Sequence, residues 1–111
     1  MITIEKLREF GADVDDGLAR CLNKKDFYID LIKRLTDDKR IYLLERQIEG
    51  GELGEAFETA HTLKGMYANL SITPLTIPCT EMTELLRRRV DTDYKELMEK
   101  LKTEFERLCA L

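Results

Sequence analysis

Apolar residues recur at helical spacing along nearly the whole chain, and this periodicity restricts the fold more than any other feature. No segment sustains the alternation of apolar and polar residues that a half-buried β-strand requires. The sequence therefore predicts an all-α protein. Long helices joined by short turns favour an antiparallel four-helix bundle, and we expect short additional helices at the N-terminus.

Capping and turn residues divide the first half of this pattern. Gly11 is predicted to end a short first helix, and Asp13 to cap a second one. Apolar stripes then cover residues 24–36 and 41–48, separated by the polar run Asp37-Asp38-Lys39. The pattern leaves open whether these stripes belong to one bent helix or to two.

The second half of the chain contains two proline-dependent boundaries. Thr73 is predicted as the N-cap of a helix and Pro74 as part of its first turn. Pro78 lacks a backbone donor and crowds the preceding turn, so the helix is expected to start late or to kink. The last helix is predicted to be capped by Asp91 or Thr92.

Composition limits the domain organisation and the classes of partner. The 111 residues are 43% hydrophobic, which suits a single domain, residues 1–111, with its own core. A net charge of -4 argues against nucleic-acid binding, which needs clustered lysine and arginine. The one basic run, Arg87-Arg88-Arg89, is interpreted as a solvated helix end, with docking of an acidic partner as the less favoured alternative.

The cysteines and the apolar segments indicate the compartment. Cys21, Cys79 and Cys109 are odd in number and far apart, so we expect reduced thiols in the core and neither disulfides nor a metal site. No apolar stretch approaches the ~20 residues of a membrane span, and the N-terminus lacks the apolar centre of a signal peptide. The cytoplasm is therefore the expected location.

The only histidine, His61, lies on a helix that is predicted from about residue 52 to residue 70, after the strong break at Gly50-Gly51. At ~100° per residue, His61 falls about 120° from the centre of the apolar stripe, so its side chain should face solvent. Lys64 follows at i+3 and Gly65 at i+4. Both residues therefore stack beside the imidazole on one helical surface.

These neighbours suit an imidazole that attacks phosphorus. A neutral imidazole has a lone pair free for the attack. Lys64 can neutralise the phosphoryl oxygens. Gly65 costs a helix roughly 1 kcal/mol relative to alanine, which suggests that another molecule must approach the backbone there, and Ala68 extends the low surface. The pattern predicts a phosphoryl-group carrier.

Other interpretations of His61 fit the same sequence pattern. Exposure alone is equally typical of a surface histidine with no role, whereas a buried core histidine does not fit the helical phase. A metal site is disfavoured because the chain has one histidine and no second ligand at a fixed spacing. The sequence contains neither a glycine-flanked nucleophilic serine nor a phosphate-binding glycine loop. We therefore expect no ATP site of the glycine-loop type, and a Ser–His–Asp catalytic site is disfavoured but left open by the sequence.

Residues 60–70, Ala-His-Thr-Leu-Lys-Gly-Met-Tyr-Ala-Asn-Leu, resemble the signature of the histidine-containing phosphotransfer (HPt) family, whose core pattern is H-x-L-K-G. The approach from Asp13, the helix with Phe27, the Gly50-Gly51 turn and the helix from Cys79 also fall where that family places similar elements.

The resemblance implies a phosphorelay intermediate built on a four-helix bundle. Through Nε2, His61 would accept a phosphoryl group from the aspartyl phosphate of a receiver domain and pass it to another receiver. Lys64 would stabilise the charge of the phosphoryl group, and Gly65 would allow close approach. The magnesium ion needed for transfer would be held by the receiver, so no metal and no cofactor are expected here.

The expected partners are receiver domains of response regulators or hybrid kinases, bound transiently by a monomer. The predicted docking residues are Glu58, Gly65 and Ala68. An adaptor that docks receivers without being phosphorylated is the alternative function, and a purely structural bundle is the third. Met1 and the compact ends favour a whole protein over a domain excised from a hybrid kinase.

Two positions depart from the family pattern. Ser71 stands ten residues after His61, where the family usually has glycine at the helix end. Thr83 stands 22 residues after His61, where the family often has the glutamine or glutamate that orients the ring. Glu84 and Thr80 are nearby candidates for that role, and no orienting residue is assigned.

Overall fold

Seven α-helices and no β-strand make up the fold, so the all-α prediction is confirmed. The computed structural model describes residues 1–111. The helices are α1 (Ile4–Phe10), α2 (Val14–Arg20), α3 (Lys25–Asp37), α4 (Arg40–Glu49), α5 (Leu53–Asn69), α6 (Thr73–Arg87) and α7 (Lys95–Cys109). None of them has both the length and the apolar character needed to cross a membrane.

The four-helix bundle consists of α5, α6, α7 and the consecutive pair α3 and α4, with α1 and α2 as the additional N-terminal helices. The turn at Gly50-Gly51 folds α4 back along the first half of α5. Helix α3 reaches the other end of α5, where the buried Tyr28 hydroxyl donates a hydrogen bond to the Leu70 carbonyl at 2.8 Å. Helix α4 thus packs along α5, and α3 contacts the C-terminal end of α5 through Tyr28.

The stripes at 24–36 and 41–48 belong to two helices, because Asp38 interrupts the backbone between them. Asp38 is extended, with ψ of 118°, and its Oδ1 accepts a hydrogen bond from the Arg40 amide at 3.0 Å. The Arg40 guanidinium lies 2.6 Å from the same carboxylate and holds the pKa of Asp38 below its ordinary value. Asp38 therefore links the end of α3 to the start of α4.

The N-terminal caps match the sequence analysis. Gly11 ends α1 in the left-handed conformation, with φ of 110°, and the Asp13 carboxylate accepts a hydrogen bond from the Asp16 amide. The role of Gly17 was not predicted. A Cβ on Gly17 would lie 2.6 Å from the ring of Tyr28. Helix α2 can pack on Tyr28 only because residue 17 has no side chain.

The predicted start of α6 is wrong by one residue. Ile72 is the N-cap, Thr73 is the first helical residue and Pro74 is the second. Pro74 is tolerated there because the first backbone amides of a helix have no intrahelical partner. The helix continues through the buried Pro78, so it does not start late.

The predicted cap of α7 is also wrong. The helix begins at Lys95, whose amide donates to Asp93 Oδ1 at 2.9 Å, and neither Asp91 nor Thr92 caps it. Tyr94, the N-cap residue, is buried and its hydroxyl donates to the Val90 carbonyl at 2.7 Å. The buried Tyr94 ring and its hydrogen bond thus anchor the residue that precedes α7.

The cysteine prediction is correct for two residues of three. Cys21 and Cys79 are buried and free, as expected for core thiols. Cys109 is free but exposed. It is the last residue of α7, and both it and the following Ala110 are exposed.

Ser71 forms the C-terminal turn of α5 in the conformation that usually requires glycine. Its φ is 55°, in the left-handed region. The Ser71 amide donates to the Ala68 carbonyl at 3.0 Å and the Ile72 amide to the Tyr67 carbonyl at 3.1 Å, which is the Schellman pattern. The Ser71 hydroxyl donates to the Asp16 carboxylate. This bond to α2 offsets the steric cost of the backbone.

Substitutions of Ser71 separate the backbone cost from the hydrogen bond. Both Ser71→Gly and Ser71→Ala remove the hydroxyl, but only glycine adopts the left-handed conformation without steric cost. We expect Ser71→Gly to be more stable than Ser71→Ala by about 1 kcal/mol in urea unfolding. Equal stability of the two variants would contradict this description of the turn.

The hydrogen bond to Asp16 should also depend on pH. Donation by the Ser71 hydroxyl, together with Arg20, lowers the pKa of Asp16 below its ordinary value. A lowered pKa stabilises the fold above the ordinary aspartate pKa of about 3.9, and this stabilisation is lost as the pH falls through the lowered value. The advantage of the wild type over Ser71→Ala should therefore shrink as unfolding is measured from about pH 5 to about pH 3.

Candidate functional site

His61 lies in the middle of α5 with its side chain exposed, as the helical phase predicts. Its imidazole makes no hydrogen bond to another residue of the chain. The nearest described ring is that of Phe57, one turn earlier, with ring centroids 5.8 Å apart and planes 26° from parallel. Offset aromatic pairs at such distances are worth about 0.5–1.5 kcal/mol. The imidazole is therefore held by stacking.

The predicted neighbours of His61 lie on the same side of α5. Glu58 is exposed, whereas Lys64 and Ala68 are half-buried. A Cβ built on Gly65 would meet no atom within 4 Å, so packing inside the protein does not require glycine there. The bare backbone at Gly65 is open to another molecule.

The site lies on an open surface. None of the principal surface cavities is lined by His61. His, Cys, Asp and Glu side chains nowhere form a group of three or more that could hold a metal ion. The imidazole is thus presented on a convex helical face and not inside a pocket.

The side chain of Cys79 in α6 contacts α5 next to His61. Its thiol donates to the carbonyl of Ala60 at 3.5 Å, and both residues are buried. Burial raises the pKa of Cys79 to about 12, with a smaller lowering by the Lys64 ammonium, so the thiol keeps its proton and remains a donor. This contact lies one residue from His61.

Thr83 does not orient the imidazole. It is fully buried, and its hydroxyl donates to the Cys79 carbonyl at 2.7 Å within α6. Of the two nearby candidates, Glu84 pairs with Arg87 at 3.4 Å, and Thr80 is exposed without a hydrogen bond to His61. The position expected to hold the ring is occupied by a residue that stabilises its own helix.

The arginine run is more than a solvated helix end. The guanidinium carbons of Arg87 and Arg89 lie 4.9 Å and 5.5 Å from the centroid of the Phe57 ring, within cation–π distance. Arg88 makes no such contact and is exposed. The sequence pattern did not connect Phe57 or the arginine run with His61, although the four-residue spacing of Phe57 and His61 indicates that their side chains can meet.

The fold and the site together define a class: a helical bundle that presents one exposed histidine on a central helix, with lysine and glycine in the H-x-L-K-G pattern. A model of the Hpt domain family matches residues 34–111, which include α4 to α7 and the end of α3. The chain therefore belongs to the Hpt domain family. Neither a curated protein nor a solved structure matches it.

Membership of this family establishes the general activity. Hpt domains are phosphocarriers that take part in histidine phosphotransfer in phosphorelays, and they interact with receiver domains there. They are not ATP-binding enzymes.

The contact between α5 and α6 predicts a pattern of thiol reactivity. In the folded protein near pH 8, iodoacetamide should modify Cys109 and spare Cys79, because the Cys79 thiol is buried with a pKa of about 12. Mass spectrometry of proteolytic fragments measures the adducts. Cys109→Ser should remain unmodified until denaturant is added. Early modification of Cys79 would show that α5 and α6 separate readily.

Proposed function

We propose that the protein is a phosphorelay intermediate, in which His61 accepts a phosphoryl group from a receiver aspartyl phosphate and passes it to the aspartate of another receiver. The observation that carries the proposal is the exposure of His61 on α5, with Lys64 one turn away and open backbone at Gly65. We also propose that it acts as a monomer in the cytoplasm.

The transfer is a displacement at phosphorus. The lone pair of Nε2 of a neutral His61 forms the new P–N bond while the P–O bond to the receiver aspartate breaks, and the electron pair stays on the carboxylate. The second transfer reverses these steps on another carboxylate. The Lys64 ammonium balances the charge of the phosphoryl oxygens. The receiver would hold the magnesium ion, which would offset charge on the phosphoryl oxygens, so we expect the chain itself to need no metal or cofactor.

The partner must supply the remaining walls of the reaction site, because His61 lies on a convex face outside the principal cavities. We assign docking of the receiver to Glu58, Gly65 and Ala68. These residues share the side of α5 that carries His61. The missing side chain at Gly65 brings the receiver surface within reach of the imidazole.

A receiver-binding adaptor is the second candidate. It is favoured by one observation, the Thr83 hydroxyl that bonds within α6 and leaves the imidazole without a hydrogen-bonding partner in the chain. An adaptor would use the same face of α5 for docking without phosphoryl transfer. Receiver binding that survives His61→Ala, with no transfer in the wild type, would identify it.

Phosphotransfer from a labelled receiver tests the relay directly. We expect the wild type to acquire label that is labile in acid and stable in alkali, and His61→Gln to acquire none. Circular dichroism should show the same helical content for both proteins. Absence of label on the wild type, or undiminished label on His61→Gln, would refute the relay. Wild-type behaviour of His61 variants with every receiver would leave only a structural bundle.

Gly65→Ala should separate stability from transfer. Because the new methyl group meets open space, alanine should stabilise α5 by roughly 1 kcal/mol. The same methyl group obstructs the receiver, so transfer should slow, and Gly65→Gln should slow it further. Thermal unfolding and the initial rate of labelling measure the two effects.

Thr103→Ala is the matched control for this pair. Thr103 is exposed in the middle of α7, so alanine raises helix propensity there without touching the surface around His61. Transfer by Thr103→Ala should equal that of the wild type. Unchanged transfer in both Gly65 variants would remove Gly65 from the docking surface.

A further inference from the structure

Phe57, Arg87 and Arg89 form one cluster beside His61, named here the Phe57 clamp. Phe57 is partly buried against the core, and its outer part contacts the imidazole at a centroid distance of 5.8 Å. The two residues are four apart on α5, the spacing at which side chains of one helix meet. Phe57 is therefore fixed from below by the core and lies against the imidazole.

Two cations complete the clamp: Arg87, the last residue of α6, and Arg89, which lies in the turn that follows. The Arg87 guanidinium lies 4.9 Å from the Phe57 centroid and also pairs with Glu84 at 3.4 Å. The Arg89 guanidinium lies 5.5 Å from the same centroid. Cations at such distances are attracted to an aromatic face. The Phe57 ring is thus contacted by its own helix, by the core, by the end of α6 and by the turn after it.

The position of Arg89 depends on an unusual backbone conformation. Its φ is 51°, in the left-handed region, where the amides of Arg89 and Val90 donate to the carbonyls of Leu86 and Leu85 at 3.0 Å and 3.1 Å. The Arg89 guanidinium in turn donates to the Leu86 carbonyl. Arginine here accepts a conformation that glycine adopts more easily, and this placement brings its charge over α5.

We propose that Phe57, held by Arg87 and Arg89, is the positioning residue for His61. The clamp restricts rotation of the imidazole and so keeps its ring nitrogens in the orientation needed for phosphoryl transfer. No hydrogen bond within the chain performs this task, since Thr83 bonds to Cys79. The inference rests on the proposed function of His61, and it adds three residues of which only one lies on the same helix.

Nuclear magnetic resonance of His61 tests the contact without any partner. In the wild type, the ring current of Phe57 should shift the Hδ2 and Hε1 signals of His61 away from those of free histidine. Phe57→Leu should remove this shift, and Phe57→Tyr should retain it. Joint removal of Arg87 and Arg89 by alanine should broaden or move the signals, whereas Arg88→Ala should leave them unchanged. Insensitivity to Phe57→Leu would overturn the inference.

Phosphorylation by phosphoramidate tests the consequence for reactivity. This small donor transfers its phosphoryl group to the imidazole and releases ammonia, so it needs no receiver docking. Phe57→Leu should react about 2- to 10-fold more slowly than the wild type, a range that corresponds to the strength of an aromatic pair. Phe57→Tyr should react like the wild type. A rate for Phe57→Leu equal to that of the wild type would overturn positioning.

Matched variants exclude general effects of charge and packing. Arg88→Ala removes one charge from the same run without touching Phe57, and Phe27→Leu removes a partly exposed phenylalanine, 49% exposed, from α3. Both should phosphorylate at the wild-type rate. A loss in Arg88→Ala as large as in Arg87→Ala would show that charge alone acts, and would overturn the clamp.

The receiver assay separates this inference from the proposed function. With a phosphorylated receiver, Phe57→Leu should lower the maximal rate of labelling and leave the receiver concentration at half-maximal rate unchanged, because docking is intact. Failure of the wild type to accept label would refute the relay, while the resonance shifts would still report the clamp. A wild-type maximal rate in Phe57→Leu would refute only the clamp.

Discussion

The packing of α6 along α5 is the contact on which the region around His61 depends. The two helices meet through small and apolar residues, among them Ala56 and Ala60 of α5, which are fully buried. The thiol of Cys79 also donates a weak hydrogen bond to the Ala60 carbonyl within this contact. With α6 packed in this way, Arg87 and Arg89 lie over Phe57, and the face of α5 that carries His61 remains exposed.

Most of the fold could be predicted from residue patterns, because the helices obey local rules. Gly11 and Asp13 act as caps through their own backbone and side-chain preferences, which require no knowledge of the tertiary structure. The start of α7 could not be predicted in this way. It depends on burial of the Tyr94 ring, and burial is decided by helices that are distant in sequence. The prediction that Cys109 is a core thiol is wrong, because this residue lies at the exposed end of α7.

The features of the site also fall into two groups: those that follow from α5 alone, and those that depend on how α6 packs against it. The exposure of His61 and the placement of Lys64 and Gly65 beside it follow from helical phase within α5 alone. The stacking of Phe57 on His61 also follows from spacing, but its importance does not, because the arginines that hold Phe57 come from the end of α6 and the turn after it. Likewise, counting residues leads to Thr83, whereas only the register of α6 shows that its hydroxyl is already used.

The turn at Ser71 bears on where the folding unit begins. The family match starts at residue 34, yet the Ser71 hydroxyl bonds to Asp16 and the Ser71 carbonyl accepts from the Asp13 amide at 2.9 Å. The Leu70 carbonyl likewise accepts a hydrogen bond from the Tyr28 hydroxyl. The polar groups at the end of the histidine-bearing helix are therefore completed by residues outside the matched segment. A fragment cut at residue 34 would lack the partners of these groups and would leave open the space filled by the Tyr28 ring, so the cooperative folding unit extends upstream of the matched segment.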